Sequence, residues 1–153
     1  MRITAKADYA VRAAIELAAH AGDDRPTKGE ALARAQDIPL KFLENILADL
    51  RQSGIVRSRR GADGGYLLAK PADEVTIADI IRAVEGPLAH VRGEKPEEVE
   101  YAGNAESLQQ VWIAVRAALR SVAETVTLAD VAAGELPESV TKLAADPEAW
   151  VTR

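Results

Sequence analysis

The chain has 153 residues, 48% hydrophobic and 28% charged, a composition that excludes an intrinsically disordered chain. It contains no cysteine and only two histidines, His20 and His90, which excludes disulfides, thiolate metal sites, cysteine nucleophiles and cysteine-ligated iron–sulfur clusters. The net charge of −5 is unevenly spread: residues 1–70 hold 12 Lys/Arg against 9 Asp/Glu, and residues 71–153 hold 7 against 15, which suggests a basic head on an acidic body.

Residues 4–20 are predicted as a first helix, capped by Thr4, with Ala7, Ala10, Val11, Ala14, Ile15 and Ala18 at helical spacing. After a loop over 21–26, Thr27 followed by Glu30 reads as a capping box. It opens a short helix to about Gln36, with Ala31, Leu32 and Ala35 turned inward. Asp37-Ile38-Pro39 makes a tight turn, and a third helix runs from about Leu40 to Ser53, closed by Gly54. Short helix, tight turn and longer helix make the helix-turn-helix pattern. The β-prone stretches Ile55–Arg59 and Tyr66–Leu68 flank the glycine-rich turn 60–65, so a two-stranded ribbon, a wing, follows directly and ends at Pro71. Thr76 caps a fourth helix to about Glu85, with Ile77, Ile80, Ile81 and Val84 on one face, and Gly86-Pro87 stops it.

Beyond it lies a loop or weak helix carrying Glu94, Glu97, Glu98 and Glu100, then a long helix from Ala105 or Glu106 to about Thr125. Thr127 caps a short helix through Ala133, and Gly134 stops it. The last segment, with Pro137, Pro147 and Trp150, has no decisive pattern. The expected fold is mainly α: a winged helix-turn-helix domain over 1–86, an acidic loop over 87–104, dimerisation helices over 105–134 and a tail over 135–153. No apolar run reaches the length of a membrane span, and the charged N-terminus lacks a signal-peptide core, so a cytoplasmic location is expected.

The third helix has two sides. Leu43, Ile46, Leu47 and Leu50 form an apolar face, whereas Lys41, Glu44, Asn45 and Ala48 share a polar one. A helix entering the major groove needs this layout: Lys donates to guanine, Asn pairs with adenine, and Glu accepts from a cytosine amine. The same layout also describes a solvated surface helix. Glu44 is either a base reader or a structural partner of Lys41. In the wing, Arg57 and Arg59 fall on one strand face and Arg60 stands at the turn. Arginines on a glycine-rich hairpin suit phosphate contact or minor-groove insertion, and equally the charges that guard a soluble sheet edge. On the long helix, Leu108, Val111, Trp112, Val115, Leu119 and Val122 recur at threes and fours. They pack either on the same chain or on a second copy, and the scarcity of other covering elements favours a symmetric dimer.

Several stretches carry a family resemblance: Ala7-Asp8-Tyr9-Ala10-Val11-Arg12-Ala13, Leu40-Lys41-Phe42-Leu43-Glu44-Asn45-Ile46-Leu47 and Arg60-Gly61-Ala62-Asp63-Gly64-Gly65-Tyr66-Leu67-Leu68. Thr76-Ile77-Ala78-Asp79-Ile80-Ile81-Arg82-Ala83-Val84-Glu85-Gly86 and Thr127-Leu128-Ala129-Asp130 add to it. Over about residues 1–134 the chain resembles the Rrf-two family of winged-helix transcription regulators. The resemblance implies a helix-turn-helix over about 27–53, a dimer built on the long helix, base-reading positions at Lys41, Glu44 and Asn45, and a minor-groove arginine at Arg60. Cluster-binding members carry three cysteines before the long helix; this chain has none between residues 88 and 106, and Ala62-Asp63 replaces the usual richer Pro/Gly turn.

These readings converge on a transcription regulator, expected to be a repressor, that binds double-stranded DNA as a homodimer on palindromic operators. It would have no cofactor and no metal. The acidic loop and the dimer helices are the places for a small-molecule or protein effector. A protein-interaction adaptor that retains the fold without reading DNA is the competing reading. An enzyme would need a convergent nucleophile, base and oxyanion donor, and no such set appears.

Overall fold

Small side chains let the first helix sit at the centre of the molecule. In the computed structural model, which describes residues 1–153, α1 (Ala5–Ala19) buries Ala7, Ala10, Ala13, Ala14 and Leu17. Val11, Ile15 and Ala18, expected on the buried stripe, are only half-buried, because neighbours on several sides rotate the contact face toward Ala13 and Leu17. Thr4 caps α1 by accepting from the Ala7 N–H at 3.1 Å.

Around α1 pack α2 (Gly29–Gln36), α3 (Leu40–Gln52), α4 (Ile77–Glu85) and α6 (Leu128–Ala133). The inward residues of α2 are Leu32 and Ala33; Ala31 and Ala35, expected inside, are exposed. The predicted Thr27–Glu30 box does not form. The Thr27 N–H donates to the Tyr66 carbonyl at 2.9 Å and its carbonyl accepts from the Tyr66 N–H at 2.8 Å, so Thr27 is held as a strand residue and Lys28 becomes the cap position. Asp37 adopts the left-handed conformation at φ 50°, and Ile38 N–H returns to Ala33 at 2.9 Å, turning the chain sharply into α3.

Strands β1 (Val56–Arg59) and β2 (Gly65–Leu68) pair antiparallel, with Val56 opposite Leu68 and Arg59 opposite Gly65. At Gly64 a Cβ would stand 2.2 Å from the Arg59 carbonyl, and at Gly65, with φ 153°, it would stand 2.5 Å from the Thr27 carbonyl. Only glycine fits either place, and the wing is thereby sewn to the start of α2.

Thr76 and Thr127 each head a capping box, closed by Asp79 and Asp130. The two boxes are also joined to each other: Ile77 N–H donates to Val126 at 3.0 Å and Leu128 N–H to Val75 at 2.9 Å. Leu128 is fully buried in the main core, so α6, which the sequence grouped with the long helix, packs with the helices around α1.

The stretch between α4 and the long helix is irregular, with short turns at Pro96–Glu98 and Gly103–Ala105; Pro96 and Val99 are buried. The long helix α5 (Leu108–Ala123) starts later than expected, after the second of these turns. The tail forms α7 (Glu138–Ala144), which packs mainly against the Pro147–Trp150 turn; Trp150 Nε1 donates to the Ala144 carbonyl at 2.6 Å. No helix is long and apolar enough to cross a membrane.

Candidate nucleic-acid interface

The geometry of α3 follows from its two faces. Leu43, Ile46, Leu47 and Leu50 have no exposed surface, and each contributes about 1.5–3 kcal/mol of apolar burial. That anchorage turns Lys41, Glu44, Asn45 and Ala48 to the outside, where all four are exposed. The C-terminal half is pinned to α1 by the Lys6–Asp49 ion pair at 2.8 Å. The preceding turn is held by Arg12, which donates to the Gln36 carbonyl at 2.7 Å. Phe42, partly exposed, packs edge-on against Tyr9 with ring centres 5.6 Å apart.

Lys41, Glu44 and Asn45 take part in none of the molecule's side-chain hydrogen bonds or ion pairs. Glu44 is therefore not the partner of Lys41. Three polar groups with different donor and acceptor patterns stand on one exposed edge, each with its hydrogen-bonding capacity unspent.

The wing divides its arginines. Arg60, at the turn, is exposed and unpaired, and Asp63 forms no ion pair with it. Ser58 and Tyr66 face α2 and α3; Ser58 Oγ accepts from Arg51 at 3.3 Å. Arg57 and Arg59 lie on the opposite face, and both reach Asp24, at 3.4 and 3.8 Å. The sequence reading placed these two arginines on one face but did not find their acidic neighbour, which lies 33 residues before Arg57. It also passed over Lys28, an exposed, unpaired cation at the start of α2 whose backbone nitrogen sits against Gly65.

The acidic loop is tied to α5. Gln109 donates to the carbonyls of Glu97 and Val99 at 3.2 and 2.9 Å, Trp112 Nε1 donates to the Tyr101 hydroxyl at 3.0 Å, and Arg116 pairs with Glu97. The backbone N–H of Glu97, together with the Arg116 guanidinium, holds the Glu97 carboxyl below the usual carboxylate range. Trp112, Val115, Leu119 and Val122 are half-buried, Val111 is 49% exposed, and no residue of α5 is fully buried.

The family model of Rrf2, described as iron-dependent transcriptional regulator, matches residues 3–134. Rv1287 of Mycobacterium tuberculosis, which is named as an HTH-type transcriptional regulator, is 51% identical over 146 residues, spanning 95% of this chain and 90% of that protein. The HTH-type transcriptional regulator CymR of Bacillus subtilis is 36% identical over 132 residues, 86% of this chain and 90% of its own length. The solved structure of CymR, the global cysteine regulator of that organism, matches with a TM-score of 0.74 and 34% identity, covering 88% of this chain and 98% of that chain. The iron in the family description does not fit the donors present here. The loop before α5 offers carboxylates and His90 but no thiolate, and nowhere do three His, Asp or Glu side chains gather at metal-binding distance. With an exposed polar edge on a helix-turn-helix, a glycine-built wing beside it and relatives of this kind over almost its whole length, the chain belongs to the Rrf2 family of winged-helix DNA-binding transcription regulators, and it is not an enzyme.

Proposed function

We propose that the chain acts as a homodimeric repressor on palindromic operators, with its signal arriving by a route other than a cysteine-ligated cluster. The observation that carries the reading is the pairing of an unspent polar edge on α3 with an unpaired arginine at the wing turn. Lys41, Glu44 and Asn45 read base edges in the major groove; Arg60 enters the minor groove beside it. Arg57 and Arg59 serve the flanking phosphates. The work is done in the cytoplasm, where the duplex is.

The dimer reading rests on α5. An amphipathic helix with no fully buried residue leaves its apolar face to be covered by another chain. Trp112, Val115 and Leu119 border a largely apolar groove of about 870 Å³ whose other walls include Ile3, Ile81 and Leu88. Leu108, Val111 and Val122 extend the same contact, and a two-fold axis through it would present two wings and two reading helices to a palindrome. A small-molecule or protein effector would act on the acidic loop, whose contacts with α5 would set the distance between the two heads.

Replacing Arg60 with Ala tests the reading. Affinity for every duplex should fall, and the salt dependence should flatten by about one unit of log–log slope, as when a single phosphate contact is lost. An unchanged affinity and slope in a mobility-shift titration would remove the wing from the interface. Wild-type protein that binds no duplex in dilute salt would leave the adaptor reading in its place.

A further inference from the structure

Arg57 and Arg59 converge on a single oxygen, Oδ1 of Asp24, from 3.4 and 3.8 Å. Guanidinium groups bind carboxylate and phosphate oxygens with the same charge-assisted hydrogen bonds, so the place Asp24 occupies suits a DNA phosphate as well. The site is built from three elements. Arg57 and Arg59 share one face of β1, and the residue opposite Arg59 is Gly65, against which the backbone of Thr27 and Lys28 packs closely. Asp24 is delivered by the turn after α1, in the left-handed conformation at φ 45° and ψ 23°, which Asp and Asn adopt more readily than most residues. Asp24 and Arg57 line a notch of about 270 Å³ whose other charged and titratable lining groups are His20, Arg25, Tyr66 and Lys70, with Arg59 outside it. Asp24 is the only carboxylate lining it.

We propose that Asp24 is an internal stand-in for a DNA phosphate: it occupies the anion position of the Arg57–Arg59 pair in the free protein and must be displaced when the wing meets a duplex. The inference rests on the DNA-binding reading. Asp24 keeps the two arginines in their gripping arrangement while lowering the affinity of the wing for phosphate in general. Its side chain is 79% exposed, so it yields readily to a competing anion. Each exposed ion pair is weak, so the competition is a modest one, and it fades as salt screens it.

The test uses the full chain, a labelled random-sequence duplex and anisotropy titrations over a range of salt concentrations. Asp24→Asn keeps the shape and the left-handed preference while removing the charge. It should bind about threefold to tenfold tighter in dilute salt. The gain should shrink as salt rises, and it should fall to the level of Asp23→Asn when Arg57→Ala and Arg59→Ala are already in place. Asp23→Asn removes an adjacent charge with no ion pair and should produce a smaller gain. Asp24→Asn binding no tighter than wild type, a gain equalled by Asp23→Asn, or a gain that persists undiminished without the two arginines would each overturn the proposal. If wild type binds the duplex and Asp24→Asn leaves that unchanged, the stand-in fails and the DNA reading stands. If neither wild type nor any variant binds, both fall together.

Discussion

Helices α3 and α5 are both amphipathic, yet they end in opposite states. In α3 the apolar face is fully enclosed, with Leu43, Ile46, Leu47 and Leu50 at zero exposure, and the polar edge is left free. In α5 the polar groups are the ones engaged, Gln109 and Arg116 holding the acidic loop, while no apolar residue is completely covered and Val111 stands 49% exposed. The first helix is finished within one chain and has chemistry to offer outward. The second has apolar surface to offer, which in the proposed dimer another chain covers. A hydrophobic period therefore says that a face will be covered, and says nothing of which molecule covers it.

The contrast can be broken in three places. Leu47→Ala opens a cavity in an enclosed core, and unfolding by urea should show a loss of about 2–5 kcal/mol. That loss belongs to the folded chain; if the destabilisation instead disappeared on raising the protein concentration, α3 would not be the self-contained element described here. Trp112→Ala should act on association. A loss of about 2 kcal/mol or more in dimer stability is expected at a central aromatic anchor, seen as dissociation by analytical ultracentrifugation. Its melting temperature should be lower than that of wild type at the same protein concentration. A wild type that sediments as a monomer at every concentration would dissolve the comparison. Asn45→Ala should leave stability and salt slope alone and relax one operator position by about 1–3 kcal/mol, read out by binding-site selection. An undiminished preference at every position would mean that the exposed edge of α3 is only solvated.

Order along the chain was legible wherever a local rule applied. Thr4 as a cap, Gly54 and Gly134 as helix stops, and the glycine turn between two β-prone stretches are decided by neighbours within a few residues, and the structure has each of them. The Thr27–Glu30 box obeyed the same local rule and failed because a distant residue, Tyr66, claimed the Thr27 backbone first. The candidate recognition residues were legible for a similar reason: four leucine and isoleucine positions fix the inward side of α3, and the outward side follows from 3.6 residues per turn.

What the tertiary structure decided is everything that joins separated segments. The Thr76–Asp79 and Thr127–Asp130 boxes are visible as two similar tetrapeptides, but only the fold brings them edge to edge and draws α6 into the core around α1. The Arg57–Arg59 pair is written in the sequence; Asp24 becomes its partner only because the turn after α1 lies against β1. Helix formation and capping are settled by bonds between near neighbours, so the sequence states them almost directly. Charge pairing and burial depend on which surfaces meet, and that is a property of the packed chain as a whole.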